Sequence, residues 1–208
     1  MKKLMAFVLA LVCVLGLVGC NAKTTSTAPS ADTPIEETAN KIKPVGTPVE
    51  EAFDIAVSYA NWGDLNEIYS KALNIDKMII SSVRHLPIYK FDTLAELGQF
   101  KTDVDGTLSI DRSYGEVPSF NDVTAKYDED FFKENTLMLV YVEAGSGSFR
   151  YGVESVYHAD GKFAIHVKQT NNPEVGTADM AGWFVTVAVP DSMVADCTEF
   201  DADLNNFN

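Results

Sequence analysis

Six consecutive apolar residues, Leu137-Met138-Leu139-Val140-Tyr141-Val142, set the strongest condition on how this chain can fold. The run is rich in β-formers and offers no polar side to water, so it reads as a strand covered on both faces and central in its sheet. Further strand signals follow it, with turn chemistry between them. Arg150-Tyr151-Gly152-Val153-Glu154-Ser155-Val156-Tyr157 alternates, which places Tyr151, Val153 and Ser155 on one face and Gly152, Glu154 and Val156 on the other. Asp160-Gly161 supplies two residues tolerant of positive φ, so Lys162 to Thr170 is expected to return as a hairpin with Phe163, Ile165 and Val167 inward. Trp183 to Val189 is a fourth β-rich run, and Pro190 ends it because proline brings no ladder donor.

Upstream, Met78 to Val83 reads as a strand and Leu86-Pro87-Ile88-Tyr89 as an extended edge segment. Thr93 and Glu96 form a capping box for a helix whose inner face is Leu94, Leu97, Phe100 and Val104. Ser119 to Tyr127 reads as a short helix, and Asp128 to Phe132 as a capped turn that delivers the chain into the central strand. The expected fold class is therefore α+β, an antiparallel, β-rich, sandwich-like domain over residues 75–208 with a few short helices. Before it, Thr47-Pro48-Val49-Glu50 has the form of a helix start, and Val49, Ala52, Phe53, Ala56, Val57 and Ala60 recur at helical spacing. Residues 48–74 are accordingly expected to be an amphipathic helical segment, with a second short helix started by Asp64 and Glu67.

The beginning of the chain bears on location. Lys2 and Lys3 precede an apolar run from Leu4 to Leu17, shorter than the ~20 residues that a spanning helix needs, so residues 1–19 read as a signal peptide. Leu17-Val18-Gly19-Cys20 resembles the lipobox of bacterial lipoproteins. That resemblance implies cleavage before Cys20, attachment of diacylglycerol to its sulfur, and a lipid anchor at the extracytoplasmic face of the bacterial cell membrane. Residues 20–47 are rich in Thr, Ser, Ala and Pro and poor in large apolar side chains, so they cannot bury enough surface to offset their ordering entropy and read as a tether. Loss of Lys2 and Lys3 with the signal peptide takes the net charge from −14 to −16. Such an acidic chain repels phosphate backbones and anionic headgroups, so nucleic acid is not an expected partner and the lipid must hold the protein to the membrane. Cys13 leaves with the signal peptide and Cys20 is consumed by lipid, so Cys197 remains without a disulfide partner and reads as a small apolar core residue.

Chemistry-bearing motifs are absent from the sequence. Gly145-Ser146-Gly147-Ser148 lacks the spacing of a nucleophile elbow, and no glycine-rich loop ends in Lys-Ser or Lys-Thr. Asp103-Val104-Asp105-Gly106 resembles part of a calcium loop, but Lys101 and Arg112 stand where its first and last ligands belong. His85, His158 and His166 lie apart with no ligand at metal spacing beside them, so no metal and no cofactor is expected. His166 and Glu154, facing each other across the hairpin, could form an acid–base pair or a solvated polar contact. Trp183 and Tyr151 could floor a ligand groove or fill the core.

From Phe131 to Val189 the order of features resembles the C-terminal domain family of PrcB-type protease-complex subunits. The matching features are the strand ending in a Gly/Ser loop, Tyr151-Gly152-Val153, the Asp-Gly hairpin and Trp183-Phe184-Val185, with Gly182 where the family tends to carry proline. The chain as a whole resembles a group of Firmicutes lipoproteins with no established activity. The resemblance implies a sandwich-like module that binds other proteins, a protease among them. The expected function is thus that of a non-enzymatic, membrane-anchored surface lipoprotein that binds or scaffolds a protein partner; the alternative is an extracytoplasmic hydrolase or a binding protein for a small polar ligand. Because loops carry function more often than the strands that display them, Ser146, Ser148, Phe149, Arg150, Asn171, Asn172 and Glu174 are the expected partner-binding residues, with Arg150 and Phe149 as polar and apolar anchors. Replacing Cys20 by alanine should abolish metabolic lipid labelling and release the protein from the membrane without altering its thermal unfolding; a mutant still labelled and membrane-bound would refute the lipobox.

Overall fold

The computed structural model describes residues 48–49, 51–61, 63, 66–80 and 83–205, so the signal peptide, Cys20 and the whole of the tether lie outside the described residues. The central strand is β3 (Asn135–Ala144), and it pairs antiparallel along its whole length with β6 (Ala181–Pro190), from Asn135↔Pro190 to Ala144↔Ala181. Outside this pair lie β1 (Asp54–Tyr59), against β6, and β2 (Ile88–Phe91), against β3, giving the order β1-β6-β3-β2. All six side chains from Leu137 to Val142 are fully buried. Met138, Val140 and Val142, with Trp183, Val185 and Val187, enter one core, while Leu137, Leu139, Tyr141 and Phe184 enter a second on the opposite face. At ~1.5–3 kcal/mol for each large apolar side chain removed from water, this pair outweighs any single loop contact or surface ion pair in the domain.

Each face has its own cover. A second sheet of β4 (Tyr151–Ala159), β5 (Lys162–Gln169) and β7 (Glu199–Asn205) closes the first core with Tyr151, Val156, Phe163, Ile165, Val167, Ala202 and Leu204. The β4–β5 hairpin turns at Asp160 and Gly161, with φ of 53° and 73°, and β5 pairs with β7 in parallel. Helices cover the second core: α1 (Asn66–Ser70) contributes Ile68, α3 (Leu94–Val104) contributes Leu97, Phe100 and Val104, and α4 (Phe120–Thr124) contributes Phe120. Among the described residues the remaining helices are α2 (Ile75–Ile80), α5 (Asp191–Val194) and a 3-10 turn at Phe131–Lys133. The fold is the expected α+β, β-rich sandwich with short helices on one side. Among the described residues no helix is long and apolar enough to cross a membrane.

Local capping follows the sequence closely. Thr93 Oγ1 accepts from the Glu96 N–H at 3.1 Å and Glu96 returns a carboxylate oxygen to the Thr93 N–H, the reciprocal box that starts α3. Ser119 and Asp122 do the same for α4, and the Phe131 N–H donates to Asp128 at 2.9 Å in the turn before β3.

Three expectations fail for physical reasons. The helix expected from Val49 to Ala60 does not form among its described residues: Asp54–Tyr59 is strand β1, registered from Asp54↔Ala188 to Tyr59↔Trp183. The apolar spacing there satisfies both periods, and the open edge of β6 decides between them by offering a full ladder of backbone partners that an isolated helix cannot match. The globular unit consequently takes in β1 and α1 and does not begin at Ile75. Met78 to Ile80, read as strand, belongs to α2, whose first turn is closed by the Lys77 and Met78 N–H groups on the Asn74 carbonyl; a short apolar run carries no period of its own. In β4 the register shifts between Val153 and Ser155, a bulge at Glu154. The extra residue returns Val156 to the core beside Tyr151 and Val153, against strict alternation.

Gly182 has a packing reason of its own, since a Cβ there would run into the Asn61 carbonyl and come within 2.7 Å of the Tyr141 ring. Gly182→Ala is expected to cost roughly 1–3 kcal/mol through overpacking and to lower the melting temperature by several degrees in a calorimetric scan; an unchanged melt would show that the strand absorbs the methyl group.

Candidate functional site

β3 ends where β4 begins, and β5 ends where β6 begins, so the antiparallel pairings bring the 145–150 and 170–180 connections to the same end of the sandwich. Hydrogen bonds join them into one unit. Ser146 Oγ lies 2.9 Å from Thr177 Oγ1 and 2.8 Å from Ser148 Oγ. Asn171 bridges the connections with both ends of its amide, accepting from the Arg150 N–H at 2.7 Å and donating to the Ser148 carbonyl at 2.9 Å. The Gly147 N–H donates to the Asp179 carbonyl at 2.9 Å, and the Tyr114 hydroxyl donates to the Asp179 carboxylate at 2.7 Å. Gly147 is required there because a Cβ would sit 2.7 Å from that carboxylate.

The seven expected partner-binding residues take different stations in this unit. Ser146 is buried, Ser148, Phe149, Arg150 and Asn171 are half-buried, and Asn172 and Glu174 are exposed. Phe149 packs on the first core. Arg150 is turned inward: its Nη1 donates to the Gly147 and Phe149 carbonyls at 2.7 and 2.9 Å, and its guanidinium lies 4.9 Å over the Trp183 ring and 5.8 Å from that of Tyr114. It braces the loop from below. Trp183 is fully buried, in edge contact with Tyr59 and Tyr114, and Tyr151 is buried in the same core, so both fill the interior and neither floors a groove. Sequence reasoning missed Tyr114, Thr177 and Asp179, as well as the two large apolar side chains that the longer loop presents to solvent, Val175 at 82% and Met180 at 46% exposure. Val175 and Met180 were visible in the sequence as apolar residues amid turn-formers; Tyr114 gave no signal.

His166 does not pair with Glu154. The bulge turns Glu154 outward, where it accepts from Asn205 Nδ2 at 2.8 Å. His166 instead places Nδ1 2.6 Å from Asp203 Oδ1, its direct neighbour on β7, and both residues are only 2% exposed. Tyr157 meets the imidazole edge-on, with ring centroids 4.7 Å apart. A carboxylate on Nδ1 orients an imidazole as in hydrolytic triads, but catalysis also needs a nucleophile and access to Nε2. Nε2 is buried and has no hydrogen-bond partner among the described residues. The open hollow of about 630 Å³ lined by Tyr69, Ile75, Met78, Ile79 and His85 does not include His166. Cys197, expected as a small apolar core residue, is half-buried against the first core and directs its Sγ to the Met193 carbonyl at 3.5 Å.

In comparison with known proteins, the chain matches no family profile, no curated protein and no solved structure.

The latch at Asp179 is electrostatic. Hydrogen bonds from the Thr177 side chain, the Tyr114 hydroxyl and the Gly147 N–H hold its carboxyl down to about 2 from an ordinary 3.8. A depressed carboxyl stabilises its folded arrangement above the ordinary value and loses that contribution as pH falls through the depressed one. The Asp179 carboxyl should therefore titrate near 2 by NMR, and Asp179→Asn should speed amide exchange at Gly147 while leaving β3 and β6 protected; titration at the ordinary value would mean that the latch is not formed in solution.

Proposed function

We propose that this chain is a non-enzymatic lipoprotein, anchored through Cys20 at the extracytoplasmic face of a bacterial membrane, whose sandwich domain offers the joined loops to a protein partner. The observation that carries the reading is the preordered loop pair: two connections held by cross-loop hydrogen bonds, with Val175 and Met180 exposed on top and Arg150 bracing from beneath. Loops ordered before contact spare the partner much of the entropy cost of binding. Methionine is enriched at protein interfaces, and a partner that covers Met180 and Val175 removes their apolar surface from water. The resemblance to PrcB-type domains suggests a protease or its complex as the class of partner, and Phe149, Asn172 and Glu174 border the platform. The hydrolase alternative has the His166–Asp203 pair in its favour, but an Nε2 that is buried and meets no hydrogen-bond partner among the described residues supports binding over catalysis.

A photo-crosslinker placed at Val175 in intact cells should yield a discrete protein adduct, and the double change Val175→Asp and Met180→Asp should reduce that capture several-fold when read from a crosslinker at Asn172. Exposed substitutions of this kind leave stability within about 0.5 kcal/mol, so the melting temperature should hold. Adducts with lipid alone, or capture indifferent to the double change, would overturn the reading.

A further inference from the structure

At the opposite end of the sandwich from the loops, the hairpin end of β4 meets the turn between α5 and β7, and three side chains of different donor chemistry converge. His158, Asp196 and Cys197 each present one ligand atom, and all three atoms lie within 4.8 Å of one another. His158 Nε2 is 3.5 Å from Asp196 Oδ1. We infer that His158, Asp196 and Cys197 form a binding site for a single divalent transition-metal cation, zinc being the ion that suits them best.

The geometry supports this in two ways. Tetrahedral zinc, with bonds of about 2.0–2.3 Å to nitrogen, oxygen and sulfur, requires ligand atoms roughly 3.3–3.8 Å apart. The His158–Asp196 separation already meets that requirement, and since no pair is more than 4.8 Å apart the others need a contraction of at most about an ångström. Meanwhile the backbone that carries the ligands is fixed. The Thr198 and Glu199 N–H groups both donate to the Gly161 carbonyl, at 2.8 and 3.2 Å, and the Cys197 N–H donates to the Val194 carbonyl at 3.1 Å. Contraction therefore falls to side-chain rotation, which the largely exposed Asp196 carboxylate can perform.

Donor identity selects the ion. One imidazole, one thiolate and one carboxylate match zinc and its borderline-soft neighbours, whereas calcium and magnesium require oxygen cages. Three protein ligands leave the fourth position to water. The Cys197 thiol makes a long contact, 3.5 Å, to the Met193 carbonyl, a partner it can give up for a cation. When a cation binds, the S–H proton passes to solvent, the thiolate takes the metal, and the Asp196 carboxylate is a second ligand. No spacing rule finds this set, because His158 comes from the hairpin and its partners come from beyond β6.

The test uses the full lipoprotein in detergent, loaded with cobalt(II) and, separately, titrated with zinc against a chromophoric chelator. One cobalt per chain should bind with a thiolate-to-metal charge-transfer band, and zinc should compete it away. Cys197→Ser should remove the band, Cys20→Ala should retain it, and His158→Ala should weaken zinc at least tenfold, the lower limit for disturbing even the outer shell of a metal site. Asp196→Asn, at an exposed position, keeps the fold and should abolish most of the zinc-induced rise in melting temperature. Absence of the band in the wild-type chain, a band that survives Cys197→Ser, or zinc stabilisation equal in wild type and Asp196→Asn would each overturn the site.

Discussion

The ten-residue pairing of β3 with β6 is the constraint on which the remainder depends. Both strands are apolar on both faces, so neither can lie at a surface, and each face must be covered by a different structure. One face receives a sheet and the other receives helices, and the two cores meet only through the sheet between them. Aromatic size concentrates on the helical side, where Phe100 is within 6.1 Å of Tyr89, Phe91, Phe120 and Phe184 by ring centroid. β-branched residues dominate the sheet-on-sheet side, where flat, stiff side chains interdigitate better. With no disulfide among the described residues, this dual burial is the main source of stability.

Where local chemistry alone decides conformation, the sequence was a good guide. The Thr93/Glu96 box and the Asp160-Gly161 turn are contacts within four residues and form as expected, and a short helix starts at Ser119 as expected, through a box with Asp122 that was not anticipated. Where a distant partner decides, reading failed. Asp54–Tyr59 became a strand because β6 lay beside it, and the spacing of Ala56, Val57 and Ala60 could not report that edge. β7 was passed over because Glu-Phe-Asp-Ala-Asp-Leu-Asn carries residues depleted in strands. It forms because Phe200, Ala202 and Leu204 face the core while its aspartates find bases on neighbouring elements, His166 for Asp203 and Lys77 with His85 for Asp201.

The loop pair shows the same division. Turn residues at Asn171, Pro173 and Gly176 marked a connection, and antiparallel neighbours placed it near the Gly/Ser loop. What holds the two together is a set of long-range contacts, Ser146 to Thr177 and Tyr114 to Asp179, that no short motif announces. Arg150 illustrates how a residue type misleads: a charged side chain in a loop suggested a hand held out to a partner, and the aromatic rings beneath it draw it inward.

The parallel pairing of β5 with β7 bears on the order in which the domain is assembled. β7 follows every other described strand in the chain, and it completes the three-stranded sheet by adding to the outer edge of a hairpin made much earlier. While a nascent chain is still emerging, the β4–β5 hairpin has a bare row of amide and carbonyl groups along β5, and His166 stands without the carboxylate that answers it. Such an unfinished edge is a template for pairing with another chain. The half-made sandwich is therefore a sticky species, and its safe lifetime is set by how soon seven residues from Glu199 to Asn205 arrive.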